Sequence, residues 1–184
     1  ITNKSVYDYN TFEIKEIIKL IKNHYNRNSL ANYLPDKDAF YQHFVGHTYN
    51  TFISVYKDNF YKINTDLSSN KIIKENKIIG VITGRPINIT LKKEPKFNAY
   101  YVDFLCVDKL YRKKNIAPQL IQTYEHFQRN NNQDSSVSLF KREGKLTGIV
   151  PLTAYKSYIF YTKTILSYKQ KLNNLIEISE VNFN

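Results

Sequence analysis

The run Tyr101-Val-Asp-Phe-Leu-Cys-Val107, followed by Arg112-Lys-Lys-Asn-Ile-Ala-Pro118, constrains this chain more than any other stretch. Its first part reads as a buried β-strand. After Pro118 the apolar positions Leu120, Ile121, Tyr124 and Phe127 recur at helical spacing. Pro118 suits a first helical turn, where its missing N–H has no helical partner to lose. A strand, a basic loop and a helix N-terminus in this order make a site for a polyanion. Free N–H groups and the positive end of the helix dipole converge there.

The rest of the chain supplies a sheet and two further helices. Asn10-Thr-Phe-Glu13 has the form of a capping box, and Ile14, Ile17, Ile18, Ile21 and Tyr25 follow on one helical face. A polar patch, 26–32, precedes a second short helix over 36–44. Strands are expected at 51–56, at 77–84 continuing past Pro86 to 91, at 100–107 and at 136–140, with a turn at 66–70. The helix after the basic loop should span 116–129, with a loop at 130–135. A short helix at 152–160 and one or two strands up to Ile178 complete the reading. Strands enclosed by a few helices predict a mixed α/β or α+β sheet. No internal repeat or linker divides it, so the expectation is one domain over 1–184.

At these residues a family resemblance appears. Arg112-Lys-Lys-Asn-Ile-Ala117 is similar to the R/Q-x-x-G-x-G/A loop of the GNAT acyltransferase superfamily. Phe104-Leu-Cys-Val107, its spacing to Arg112, and Ala117-Pro118 resemble the N-terminal half of N-myristoyltransferase. So does Gly80-Val-Ile-Thr-Gly-Arg-Pro86-Ile-Asn-Ile89 upstream. Asn115 stands where the wider superfamily prefers Gly, a departure the myristoyltransferases share. The resemblance implies a GNAT-like domain with a splayed central sheet flanked by helices. Its implied co-substrate is an acyl-CoA, myristoyl-CoA or acetyl-CoA, with no metal. The second half of the usual two-half enzyme is missing from the chain, which starts at Ile1 and holds no Met.

The resemblance also implies roles. The backbone N–H groups of Phe104 and Leu105 would stabilise the tetrahedral oxyanion of acyl transfer, a few kcal/mol of barrier for donors of this kind. Leu105, Cys106, Val107, Arg112, Lys113, Lys114, Asn115, Ile116 and Ala117 would hold coenzyme A, with the pyrophosphate on the loop. Tyr155, with Tyr158 beside it, is a candidate general acid toward the departing thiolate. The base is not legible. Tyr101 occupies the strand position where many GNAT enzymes carry Glu, and the family's C-terminal carboxylate belongs to the missing half. Asp103 and Glu177 are candidates by position only. Ser157 stands where the family has a peptide-contacting His.

Composition narrows the classes. The 27 Lys and Arg exceed 16 acids, for a formal net charge of +11, and such a field attracts anionic ligands. No block of five like charges marks a nucleic-acid tail. Richness in Asn, Lys, Ile and Tyr with only 5 Gly fits a low-GC genome and explains part of the charge. No apolar run approaches the length of a membrane span, and no secretory signal is evident. The single Cys106 suits a reducing, cytoplasmic setting, the host cytoplasm if the source is viral. His43 and His47, four residues apart, could share a helix face, but no third metal ligand accompanies them. The functional reading is transfer of an acyl group from CoA to a protein or peptide amine by direct attack. Acetyl transfer, a catalytically degenerate module within a larger protein assembly, and a nucleic-acid binder remain alternatives.

Overall fold

The computed structural model describes residues 1–25, 34–66, 69–92, 95–132 and 134–141, with 150, 151 and 153. The chain divides into two compact units, Ile1–Arg142 and Glu143–Asn184, and the architecture below is that of the first. Its elements run β1 (Thr2–Ser5), α1 (Thr11–His24), α2 (Lys37–Gln42), β2 (Phe52–Asp66), β3 (Ser69–Ile89), β4 (Phe97–Val107), α3 (Ile116–Asn131) and β5 (Ser135–Phe140). The expected helix at 152–160 and the tail strands lie outside the described residues, as do Tyr155, Ser157, Tyr158 and Glu177.

The five strands form one sheet in the order β1-β2-β3-β4-β5. All neighbours are antiparallel except β4 and β5. A parallel pair requires a crossover, and α3 supplies it. Alternation along the strands sends side chains to opposite faces. On one face Val55, Val81, Phe104 and Cys106 pack with Ile14, Ile17 and Ile21 of α1 and Phe40 of α2. On the other, Ile79, Ile82, Tyr100 and Val102 pack with Leu120 and Tyr124 of α3.

Helix α1 begins as the sequence expects. Asn10 Oδ1 accepts the Glu13 N–H at 2.9 Å, and Glu13 Oε2 accepts the Asn10 N–H at 3.4 Å. Such a cap is worth about 1 kcal/mol. Burying each of Ile14, Ile17 and Ile21, all fully enclosed, contributes about 1.5–3 kcal/mol. The buried face therefore decides that α1 forms, and the cap decides where it starts.

Strands β2 and β3 are longer than expected, joined across 66–69 instead of ending at Tyr56 and resuming at Lys77. Register runs unbroken from Lys57↔Ile78 to Asp66↔Ser69. This segment lacks the apolar alternation that signals a strand, whereas a backbone ladder forms regardless of side-chain polarity. Pro86 sits in β3 without disrupting the sheet. Pairing to β2 ends at Phe52↔Gly84, so Pro86 is paired only with Tyr100 of β4 and withholds no N–H from a second neighbour.

Gly84 is required by packing. A Cβ there would collide with the hydroxyl of Tyr124, which is buried with no hydrogen-bond partner among the described residues. Gly84→Ala should cost about 1–3 kcal/mol, the usual penalty for overpacking, read by urea unfolding. Adding Tyr124→Phe, which deletes the colliding oxygen, should restore part of that loss. Wild-type stability in Gly84→Ala alone would show that Tyr124 is not seated against this strand.

Candidate functional site

The site is built where β4 loses one of its neighbours. Pairing with β5 stops at Val102↔Phe140, whereas pairing with β3 continues to Gly80↔Val107. No described strand covers the β5-side edge of β4 from Asp103 to Val107. A register shift lies at the same point: Thr83 opposes Phe104 and Gly84 opposes Val102, leaving Asp103 as the extra residue of a β-bulge.

The direction of each backbone amide follows. Asp108 N–H donates to Ile79 O at 2.8 Å, and Phe104 N–H donates to Thr83 Oγ1 at 3.1 Å. Both point at β3. N–H groups alternate along a strand, so those of Leu105 and Val107 face the uncovered edge. Of the expected oxyanion donors, Leu105 is therefore turned outward and Phe104 is held by the Thr83 hydroxyl. Cys106 departs from its expected ligand-holding place. Its N–H faces β3, its Sγ lies 3.9 Å from Leu20 O of α1, and burial pushes its thiol up to about 12.

The strand then enters a short 3-10 turn, Lys109–Tyr111, capped by Asp108 Oδ1, which accepts the Leu110 N–H at 3.0 Å. Asp108 is 2% exposed, with Lys77 Nζ at 2.9 Å and His24 Nε2 at 3.8 Å. Burial would raise this carboxyl. The Lys77 hydrogen bond, the Leu110 N–H and the neighbouring cations outweigh it and hold Asp108 below the usual range. His24 ends α1, and its Nδ1 accepts the Lys109 N–H at 3.1 Å. That bond fixes the neutral tautomer with the proton on Nε2. Burial chiefly, with Arg112, Lys77 and Lys109 adding to it against Asp108, lowers the tendency of His24 to charge. The sequence reading missed His24, because its partners lie more than eighty residues away.

Arg112 also differs from expectation. Its Nε donates to Val107 O at 3.2 Å and its Nη2 to His24 O at 2.7 Å. The guanidinium staples the loop to the end of α1, satisfying a C-terminal helix carbonyl. Lys113 and Lys114 remain exposed, with Lys114 Nζ 4.8 Å from the centre of the Tyr111 ring.

The loop backbone is the unusual part. Lys113 and Asn115 have φ of 64° and 59°, both left-handed. Changes of backbone hand at successive residues are the kind that turn neighbouring N–H groups toward one anion. Asn115 is also the N-cap of α3, and its side chain makes no capping hydrogen bond. The Ile116 and Ala117 amides thus have no acceptor within the helix, and Pro118 has no N–H at all. The Ile116 side chain is buried against the sheet and orients this turn.

On the opposite, α1–α2 face, Asp103 is 7% exposed, and Arg85 Nε lies 3.1 Å from each of its carboxylate oxygens. Burial raises Asp103 above the usual carboxylate range, against the opposing charges of Arg85, His43 and His47. The two histidines are not a metal pair. Helix α2 ends at Gln42, and His47 Nε2 bonds the His43 carbonyl at 2.9 Å. No group of three metal-ligating side chains occurs among the described residues. A cavity of about 410 Å³ lies at the other end of β4, beside Tyr49, Phe52, Tyr100 and Asn132, away from the loop. No described helix is long and apolar enough to cross a membrane.

Comparison with known proteins fits this geometry. Residues 5–150 match the family model described as myristoyl-CoA:protein N-myristoyltransferase, N-terminal domain. A putative glycylpeptide N-tetradecanoyltransferase of Amsacta moorei entomopoxvirus is 30% identical over 172 residues, covering 86% of this chain. The chain spans 56% of that relative's length. A GNAT family acetyltransferase of Staphylococcus aureus has a TM-score of 0.50 at 16% identity, covering 86% of this chain and 98% of its own. AAC(6')-Iy, solved with a bisubstrate analogue containing CoA, has a TM-score of 0.51 at 11% identity, covering 87% and 97%. The two solved structures share the fold, a mixed α/β sheet flanked by helices, and the family match is more specific: the chain belongs to the N-myristoyltransferase family, over its N-terminal domain.

Proposed function

We propose that this chain binds an acyl-CoA at the loop Arg112–Ala117 and the uncovered edge of β4, and acts in transfer of a fatty acyl group to a protein or peptide amine. The observation that carries the reading is the left-handed pair Lys113 and Asn115 leading into the bare N-terminus of α3. This arrangement suits a pyrophosphate, with Lys113 and Lys114 as added cations. The loop leaves β4 only a few residues after Leu105, whose outward N–H is the donor for a thioester oxyanion. Family membership supports myristoyl-CoA over acetyl-CoA, and the relative's name supports a glycine-initiated peptide as acceptor. AAC(6')-Iy, with its CoA-containing analogue, supports the placement of CoA on this fold. Attack of the amine on the thioester is direct, since the buried, strongly raised Cys106 thiol makes a poor nucleophile. A cytoplasmic setting, that of the host for a viral chain, belongs to the same reading; the viral relative and the single buried thiol support it.

Chain length is tested by competition between free myristoyl-CoA and acetyl-CoA for the purified chain. Burial at about 0.8 kcal/mol per CH₂ should make myristoyl-CoA bind at least a hundredfold tighter. Equal affinities would remove the long-chain assignment.

The loop is tested separately. Asn115→Gly should bind CoA as the wild type does, because glycine adopts left-handed φ without penalty. Asn115→Val should bind about tenfold or more weakly, since a β-branched side chain resists that conformation. The double variant Lys113→Ala/Lys114→Ala should weaken CoA binding by about fivefold to tenfold at low salt and less at high salt. Unchanged affinity in both Asn115→Val and the double variant, measured calorimetrically, would place the ligand elsewhere.

A further inference from the structure

We infer that His24, through its uncharged ring, is a positioning residue that holds the basic loop in its ligand-binding form, so that acyl-CoA binding weakens in acid. The ligand rests on the acyl-CoA reading above; the contact itself does not. His24 lies 85 residues before Lys109 and 88 before Arg112, and it meets both.

The turn between β4 and the loop has three amides, and each meets an acceptor. Leu110 N–H donates to Asp108 Oδ1 at 3.0 Å, and Tyr111 N–H donates to Asp108 O at 2.9 Å. Both acceptors belong to the residue that opens the turn. Of the three, only Lys109 N–H reaches another element, donating to His24 Nδ1 at 3.1 Å. The His24 carbonyl then accepts Arg112 Nη2 at 2.7 Å. One residue at the end of α1 therefore grips the chain on both sides of the turn, directly before left-handed Lys113.

Charging His24 would undo the ring contact. A neutral imidazole accepts at one nitrogen, whereas an imidazolium donates at both. Two N–H groups would then face each other where Nδ1 now accepts. The surroundings favour the neutral ring. The charged and titratable groups facing it are Asp108 and Lys109 from the end of β4, Lys77 from β3 and Arg112 from the loop. Three cations thus stand against one carboxylate. Lys77 Nζ already pairs with that carboxylate at 2.9 Å, nearer than His24 Nε2 at 3.8 Å. A helix C-terminus ordinarily favours a protonated histidine, but the Arg112 guanidinium occupies that end. Burial acts in the same direction as the cations, and His24 charges less readily than usual. The sign follows. The grip is complete above the ordinary histidine value and is lost as pH falls through the lowered one.

The test titrates dephospho-CoA calorimetrically against the whole chain at a series of falling pH values. This probe keeps the pyrophosphate and lacks the 3′-phosphate monoester, whose second ionisation at about 6 would fall in the same window. Wild-type affinity should be constant above neutrality and weaken about fivefold in acid, the effect of one hydrogen bond, with the fold checked by circular dichroism. His24→Leu offers no acceptor and should bind about fivefold more weakly at every pH. His24→Asn offers Oδ1 in place of Nδ1 and does not titrate, so it should rescue binding and give a flat profile. Wild-type affinity that is unchanged or tighter in acid, or a His24→Asn profile that still falls like the wild type's, would overturn the inference. The contact is also read without ligand. The ring ¹⁵N shifts of His24 should show the tautomer with its proton on Nε2, and a proton on Nδ1 would overturn the inference equally. A chain with the expected tautomer that binds neither dephospho-CoA nor myristoyl-CoA would instead remove the acyl-CoA reading, and the ligand named here with it.

Discussion

Parallel pairing between β4 and β5 stops at Val102, while antiparallel pairing between β4 and β3 continues to Val107. Inside a folded domain such an edge is a liability, because each unpaired N–H that is shielded from water carries a free-energy penalty. Here it is the edge at which the proposed acyl-CoA site is placed. The bulge at Asp103 sits where the second partner is lost. It re-aims two side chains toward α1 and α2 and leaves Leu105 and Val107 with outward amides.

The loop beyond depends on that edge being held still. Asp108 and Lys77 form the most evident ion pair, but Lys77 is 47% exposed and solvent screens much of its contribution. Hydrogen bonds between side chains and backbone add to it. Arg112 joins the carbonyls of Val107 and His24, and His24 accepts the Lys109 N–H. These contacts tie the end of α1 to the end of β4, so the left-handed residues Lys113 and Asn115 start from a fixed point. Each left-handed non-glycine residue costs roughly 1 kcal/mol. The surrounding anchors keep that conformation in place, and for the proposed ligand such pre-organisation would lower the ordering cost of binding.

This arrangement separates two kinds of residue in the basic loop. Side chains that look alike in sequence do different work: Arg112 fastens the loop, whereas Lys113 and Lys114 face solvent. Likewise two carboxylates near the end of β4 have opposite characters. Hydrogen bonds from Lys77 and a backbone amide keep Asp108 acidic, and Asp103, whose burial outweighs the Arg85 charge beside it, is the more basic. At Asp103 burial outweighs the opposing charges, whereas at Asp108 the hydrogen bonds and neighbouring cations outweigh burial.

Local features were legible in the chain itself. The capping box at Asn10–Glu13, the isoleucine face of α1, the strand ending at Val107 and the helix from Ile116 are all short-range patterns, and the structure contains each of them. The family was legible for the same reason, since the motif from Phe104 to Pro118 is contiguous. The polar extensions of β2 and β3 were not, because backbone pairing leaves no mark in side-chain periodicity. Nor was the bulge at Asp103, which arises from the register of two strands and not from either strand alone. His24 beside Asp108, Arg112 turned onto α1, Thr83 on the Phe104 amide and Arg85 on Asp103 all join residues far apart in sequence. Sequence determined which elements form and that a basic loop would lead into a helix N-terminus. Tertiary structure alone decided which amides of β4 face its open edge and which cations hold its carboxylates, because an amide's direction depends on the neighbour with which its strand pairs.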